Sequence, residues 1–278
     1  MKIVTHSSTY HIDDVFSAAI LTAIYPNAEI IRTRDPVEIE KADIAFDVGG
    51  GKFDHHFEGA EKRPNGITYS SCGLIWREYG HEFLLIQEVP IRLIDDVWKY
   101  WDSLLIEIDA NDNGECEEGR VSDFHLASVV GSLNINTDFV DVVAFIRKYI
   151  CAKTKNMTQY HIDRMVIRDA CEAQKNKQII ELPYRLFWQS SIAEFAPQAL
   201  FVIFPEKHQW RISAVPVSPG SFVSKCPILE AYRGIPKPKL RKMSGLELNF
   251  VHASGFTGAA DTRTDVLELA VRSIAENE

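Results

Sequence analysis

The chain has 278 residues, of which 46% are hydrophobic, 25% charged and 10% aromatic, so a disordered chain, a collagen-like repeat and a disulfide-stapled miniprotein are excluded. Its 30 Lys and Arg stand against 39 Asp and Glu, a net charge of −9 with His neutral. A protein that holds duplex nucleic acid mainly by neutralising phosphates should be basic, so such binding here would need divalent metals to cancel carboxylates locally.

The N-terminus enters a predicted strand directly, Lys2 to Thr5, with no targeting pattern, and no apolar run approaches the roughly 20 residues of a membrane span. The five cysteines are odd in number and scattered, with no C-x-x-C pair. A disulfide framework and a structural zinc site are therefore not expected, and the expected compartment is the cytoplasm. A helix-length apolar segment runs from Asp13 to Tyr25 before Pro26. Strands follow at Ala28 to Thr33 and Ala42 to Val48, the second halted by Gly49-Gly50-Gly51. Alternation at these lengths, with continuous apolar runs in the strands, predicts a parallel sheet covered on both faces.

Ser70 to Tyr79 reads as a helix with Ser70 or Ser71 as N-cap and Gly80 as its stop, and Ile91 to Ile108 as an amphipathic helix. An acidic loop, Asp109 to Gly119, comes next, and Ser122 to Asn176 is helical in pattern without a proline. After Pro183 the character changes to strands at Ala199 to Phe204, Trp210 to Val217 and Leu246 to His252, closed by a helix from Asp265 to Asn277. The fold class is α/β. The expected division is a metal-binding domain over residues 1–180 and a smaller α/β substrate-binding domain over 181–278.

Histidines are concentrated early: His6, His11, His55 and His56 fall within the first 56 residues of a chain that has nine. Each sits beside carboxylates at a predicted strand end, where open parallel sheets place their ligand crevice. His6 follows the first strand, His11-Ile12-Asp13-Asp14 enters the first helix, Asp47 closes the third strand, and Asp54-His55-His56 lies just beyond it. With Asp109, the candidate ligands are His6, His11, Asp13, Asp47, His55 and Asp109. Imidazole and carboxylate without thiolate suit Mn, Fe, Co or Zn, with Mg possible but favouring fewer nitrogens. Six ligands exceed one catalytic zinc site and match two metals roughly 3.5–4 Å apart sharing a carboxylate. Asp14 reads as a carboxylate favoured by the helix dipole. Asp95 and Asp96 read as a polar helix face, and Trp98, Tyr100 and Trp101 as packing. His81, His125, His161 and His208 lack carboxylate-rich surroundings.

His6-x4-His11-x-Asp13, Asp47-Val-Gly-Gly, Asp54-His55-His56 and Ile108-Asp109-Ala-x-Asp-Asn-Gly114 resemble the motifs of the DHH phosphoesterase superfamily, and specifically those of the MYG (melanocyte-proliferating-gene exonuclease) family. The similarity extends through Ala214-Val-Pro-Val-Ser-Pro-Gly-Ser-Phe222 and Val251-His-Ala-Ser-Gly-Phe256, nearly the whole chain. The resemblance implies a two-domain architecture with two divalent cations in the cleft, manganese first, with Mg, Co or Zn as alternatives. It implies Asp47 as the bridging carboxylate, His6 and His11 completing one metal, and Asp13, His55 and Asp109 the other. His56 would face the phosphate or support a ligand, and Asp47 and His56 are the expected catalytic residues. This chain carries Asp14 where the family commonly has Glu, and a triple glycine with a short spacer before Asp54.

The implied activity is metal-dependent phosphodiester hydrolysis, a 3′–5′ exonuclease on RNA or single-stranded oligonucleotides. Alternatives are a small-molecule phosphohydrolase acting on pyrophosphate, a cyclic dinucleotide or phosphoadenosine phosphate, and a non-catalytic metal- or nucleotide-binding module. For substrate grip, His252-Ala-Ser254-Gly255 is a small, Gly-containing loop after a strand whose N–H groups could cradle a phosphate, and Ser221 lies in a second such loop. Arg263 is the expected bidentate phosphate clamp. The basic run 236–242 reads as a solvated loop, and a homodimer is among the assemblies allowed.

Overall fold

The structure is a computed structural model describing residues 1–115 and 126–277. Cys116, His125 and the end of the expected acidic loop lie outside the described residues. Backbone contacts divide the chain into two units, Met1–Thr158 and Gln159–Glu278.

In the first unit, β1 (Lys2–Thr5), β2 (Glu29–Arg32) and β3 (Ile44–Ala45) form an all-parallel sheet in the order β2-β1-β3. β1 is central, so its end delivers the next residues to the middle of the sheet edge. The crossovers carry α1 (Ile12–Ile24) and the short α2 (Pro36–Glu40). α1 is buried almost all round, with Ala18 and Ala19 at 0% exposure, because α3 (Ser71–Ile86) and α4 (Ile94–Asp112) pack on it. Phe16, Trp76 and Trp101 interlock there, with Trp101 6.3 Å from Phe16 and 6.0 Å from Trp76 between ring centres. The Trp101 indole donates to Thr154 Oγ1 at 3.0 Å, so it is spent in the core.

Two helix limits differ from expectation. α3 runs through Gly80, where a Cβ would stand 2.7 Å from Trp98 Nε1 and 2.9 Å from Trp76; the glycine admits a neighbouring helix and does not stop its own. α4 continues four residues beyond Ile108 to Asp112, so Asp109 is helical and not in a loop. α5 (Leu126–Leu133) and α6 (Phe139–Ala173) follow. The division at Thr158 falls inside α6, not at the Pro183 break, and no proline or glycine marks it.

The second unit is built on a mixed five-stranded sheet, β4-β5-β6-β8-β7. Its strands are β4 (Ile179–Glu181), β5 (Phe201–Glu206), β6 (Gln209–Ala214), β7 (Leu248–Val251) and β8 (Thr257–Ala260). β4 pairs parallel to β5 and the remaining pairs are antiparallel. Alternation along β5 splits the core: Phe201 and Ile203 face one cluster with α8 (Lys237–Ser244) and α9 (Arg263–Asn277), while Val202 and Phe204 face another with α7 (Gln189–Phe195) and the end of α6. The basic run 236–242, expected as a loop, forms most of α8, with Leu240 fully buried and Arg241 paired to Glu247 and Asp261. Cys72, Cys151, Cys171 and Cys226 are free thiols. Among the described residues no helix is long and apolar enough to cross a membrane.

Candidate metal centre

The parallel sheet brings three chain segments to one edge, and the end of α4 joins them. His6 Nε2 stands 3.2 Å from Asp14 Oδ2 and 3.2 Å from Asp47 Oδ2. His55 Nε2 stands 3.2 Å from Asp47 Oδ1, 3.2 Å from Asp112 Oδ2 and 3.7 Å from Asp13 Oδ2. His56 Nδ1 is 3.4 Å from Asp47 Oδ1, and His11 Nδ1 3.7 Å from Asp112 Oδ1. Three sets therefore offer ligand atoms within 4.8 Å of one another: His6, Asp14 and Asp47; Asp47, His55 and His56; His11, Asp13 and Asp112. Asp47 belongs to two of them, one oxygen turned to each. Its backbone has φ +55°, a left-handed conformation that costs a non-glycine residue energy and that Asp and Asn tolerate best.

The hydrogen bonds around the two buried imidazoles decide what their Nε2 atoms need. His6 Nδ1 lies 3.0 Å from the Ser7 carbonyl, which can only accept, so Nδ1 carries hydrogen. His55 Nδ1 lies 3.1 Å from Asn113 Oδ1, and the Asn113 amide nitrogen is already donating to the carbonyls of Thr68 and Asp109. That fixes the amide, and His55 Nδ1 must again be the donor. Both Nε2 atoms then lie against carboxylate oxygens, which is tolerable only with a second proton or a cation between them. Without a cation the proton wins. The Asp14 and Asp47 carboxylates push His6 up to about 10 against the cost of burial. Burial opposes the shift at His55 most strongly, yet Asp112 and Asp47 together push it up to about 11. Burial alone would raise Asp47, but His55 and His6 hold it down at about 2. Asp13 is pushed well above the carboxylate range by complete burial and then by the charges of Asp47, Asp112 and Asp14.

The same cluster fits divalent cations on a second ground. Asp13 Oδ1, Asp14 Oδ2 and Asp47 Oδ2 are buried without a hydrogen-bond partner; the 3.2 Å contacts of His6 lack hydrogen-bond geometry to either oxygen. Orphaned carboxylate oxygens are costly unless a cation takes them. Displacing imidazolium protons gives a checkable consequence: cation binding at pH 7 should release at least the His6 and His55 protons, and apparent affinity should rise with pH until about 11. Calorimetry in buffers of different ionisation enthalpy measures the release, and heats independent of buffer would contradict it. Asn113 should matter for the same reason. Asn113→Ala frees the His55 ring and is expected to weaken cation binding roughly 10- to 100-fold, with unchanged circular dichroism. Unaltered affinity would show that the ring is positioned without it.

Asp109 does not join the cluster. Its Oδ2 accepts from Arg63 Nε at 2.5 Å, its Oδ1 from the Ser70 N–H at 3.1 Å and Ser70 Oγ at 2.6 Å, and Gly73 makes room for the carboxylate where any Cβ would collide with it. Both oxygens are consumed. Asp112, one helical turn on, takes the place at the cluster. Asp14 also differs from the dipole reading: Oδ1 accepts from the His11 N–H at 3.0 Å as a helix cap, while Oδ2 faces His6. Asp54 ties the loop, accepting from the N–H groups of Gly50, His55 and His56, and its Oδ1 lies 2.8 Å from His56 Nδ1.

Within the second unit, His252 and Ser254 hydrogen-bond at 2.9 Å (Nδ1 to Oγ) beside Gly255, whose φ of +73° a side chain would resist. A Cβ there would also strike Arg233, whose Nε donates to the Ile228 carbonyl at 2.6 Å and which has no carboxylate partner among the described residues. Arg263, the expected clamp, is held instead by Glu181 through Nε at 2.8 Å and Nη2 at 2.5 Å. Arg233 is thus the guanidinium next to the loop, and nothing in its local sequence announced it. Ser221 Oγ accepts from the Val223 N–H at 3.1 Å, closing its own turn.

Buried carboxylates and imidazoles in overlapping sets at the carboxyl edge of a parallel sheet define an α/β protein equipped for divalent metal. The family model MYG1_exonuc (uncharacterised protein family UPF0160) matches residues 2–274, and the chain belongs to that family. MYG1 exonuclease of Rattus norvegicus is 31% identical, with 99% of this chain and 85% of the relative covered. MYG1 exonuclease of Homo sapiens is 29% identical over 99% and 86%, and MYG1 protein of Dictyostelium discoideum 28% over 100% and 97%. A solved pGpG-specific phosphodiesterase, PggH from Vibrio, aligns with 99% of this chain and 98% of its own at 15% identity, but its TM-score of 0.28 is too low to carry an argument.

Proposed function

We propose that the chain is a two-cation phosphodiesterase that removes nucleotides from the 3′ end of short single-stranded RNA or DNA. The observation that supports it most is Asp47, buried, held in a left-handed conformation and sharing its two oxygens between separate ligand sets. In this reading Asp47 would bridge; His6 and Asp14 would serve one side, and His11, Asp13, His55 and Asp112 the other. Two divalent cations, manganese first, would polarise a water and offset phosphate charge. The carboxylates of Asp13, Asp14, Asp47 and Asp112 balance two such cations.

The chain's own groups do the rest. His6 and His55 present Nε2 because Ser7 and Asn113 engage their Nδ1 atoms. His56 is more than half exposed, and Asp54 occupies its Nδ1, so Nε2 is the atom that can hand a proton to a phosphate or leaving-group oxygen. His252, Ser254 and Gly255 would cradle a phosphate, with Arg233 as the nearby cation. End-labelled RNA oligonucleotides with manganese test the reading. Stepwise shortening from the 3′ end is expected. Phosphate release from pyrophosphate, with the oligonucleotide intact, would favour the small-molecule alternative, and nucleotide binding without turnover would leave only a binding module.

A further inference from the structure

A cavity of about 820 Å³ lies within the second unit, and no His or Asp of the metal cluster lines it. Its floor is the sheet face that carries Val202 and Phe204 into the core, at the place where that face turns polar. Arg211 on β6 occupies this floor beside Glu206 and Thr257. The Arg211 Nη2 donates to Thr257 Oγ1 at 3.2 Å, and its guanidinium lies 5.1 Å over the Phe250 ring. Its Nε is buried with no hydrogen-bond partner, 3.6 Å from Glu206 Oε2. A buried donor left unpaired in a cavity wall is unusual and calls for an acceptor. Opposite charges balance around the space: Arg211 and Arg185 face Glu206 and Asp163, and Asp163 is 6% exposed. The rim is aromatic, with Phe187 at 87% exposure and Phe256 at 45%.

Balanced charge does not suit a bare phosphate, which needs converging cations. A ring with two π faces and an edge that both donates and accepts suits these walls well. We infer that this cavity takes a base of the single-stranded substrate, with Phe187 and Phe256 as stacking surfaces and Arg211 and Asp163 reading the base edge. The inference rests on the nucleic-acid reading above and adds to it a base-binding subsite that works without metal.

The test is fluorescence anisotropy of a labelled RNA hexamer, and of the same backbone made abasic, on the full chain in EDTA. The normal strand should bind about ten-fold or more tightly than the abasic one. Phe187→Ala should weaken the normal strand about ten-fold and leave the abasic strand unchanged, erasing most of the preference. Arg211→Met should act likewise, and because Arg211 also braces the sheet, Phe187→Ala decides if that variant misfolds. Equal binding of the two strands, no binding in EDTA, or an unaltered preference in Phe187→Ala would overturn the subsite. Turnover of bis-p-nitrophenyl phosphate with manganese separates the two failures: hydrolysis without base preference sinks the subsite alone, and base binding without any hydrolysis sinks the phosphodiesterase reading.

Discussion

Asp47→Asn is expected to abolish phosphodiester hydrolysis while the protein stays folded. Asn tolerates the left-handed backbone that Asp47 adopts, so the turn after β3 survives the change. What is lost is the charge that two ligand sets share and the acceptor that both His6 and His55 face. Loss of an outer partner at a metal site costs roughly 10- to 100-fold, and loss of a shared carboxylate should exceed that, leaving activity below about 1%. Circular dichroism and thermal melting check the fold, and a manganese titration checks the site. Substantial residual turnover in a folded Asp47→Asn protein would contradict the assignment.

A pair of substitutions one helical turn apart should part in kind. Asp112→Asn removes a carboxylate that faces both His55 and His11, so cation affinity and turnover should fall by more than about 100-fold with melting nearly unchanged. Asp109→Asn leaves Arg63, 4% exposed, with half its partnership. Breaking a buried ion pair by removing one partner costs about 3–5 kcal/mol, and the low end applies because Asp102 still receives Arg63 Nη1 at 2.8 Å. Asp109→Asn should therefore melt much earlier, by several degrees or more, while the fraction that remains folded still binds metal. The opposite pattern, a stable Asp109→Asn that has lost metal and a destabilised Asp112→Asn that keeps it, would restore Asp109 to the ligand set.

That contrast also marks where the sequence was legible. The β-branched runs, their lengths and the glycine stop after Asp47 specify parallel crossovers, and from those follows the gathering of His6, His11, Asp13, Asp47 and His55 at one edge. Strand-end position is enough for these residues because a parallel sheet aligns strand ends whatever packs around it. Asp109 and Asp112 sit on a helix, where choosing between i and i+3 needs the helix end and its rotation. Both depend on tertiary partners: α4 runs to Asp112, Arg63 captures Asp109 from a segment far away, and Gly73 leaves space for it. Gly80 misleads similarly, because a glycine that admits a tryptophan reads in one dimension like a glycine that ends a helix. Asn113 carries no recognisable signal until His55 is seen beside it. Arg233 and Arg263 differ only in which one meets Glu181, a contact spanning 82 positions in the chain.

Anomalous scattering at the manganese edge from manganese-soaked crystals puts the shared-carboxylate centre to the proof. Two peaks roughly 3.5–4 Å apart on either side of the Asp47 carboxylate, with Asp112 and not Asp109 in contact, are the expected result. Peaks elsewhere, a single peak that leaves one Asp47 oxygen unligated, or none at saturating manganese would contradict it.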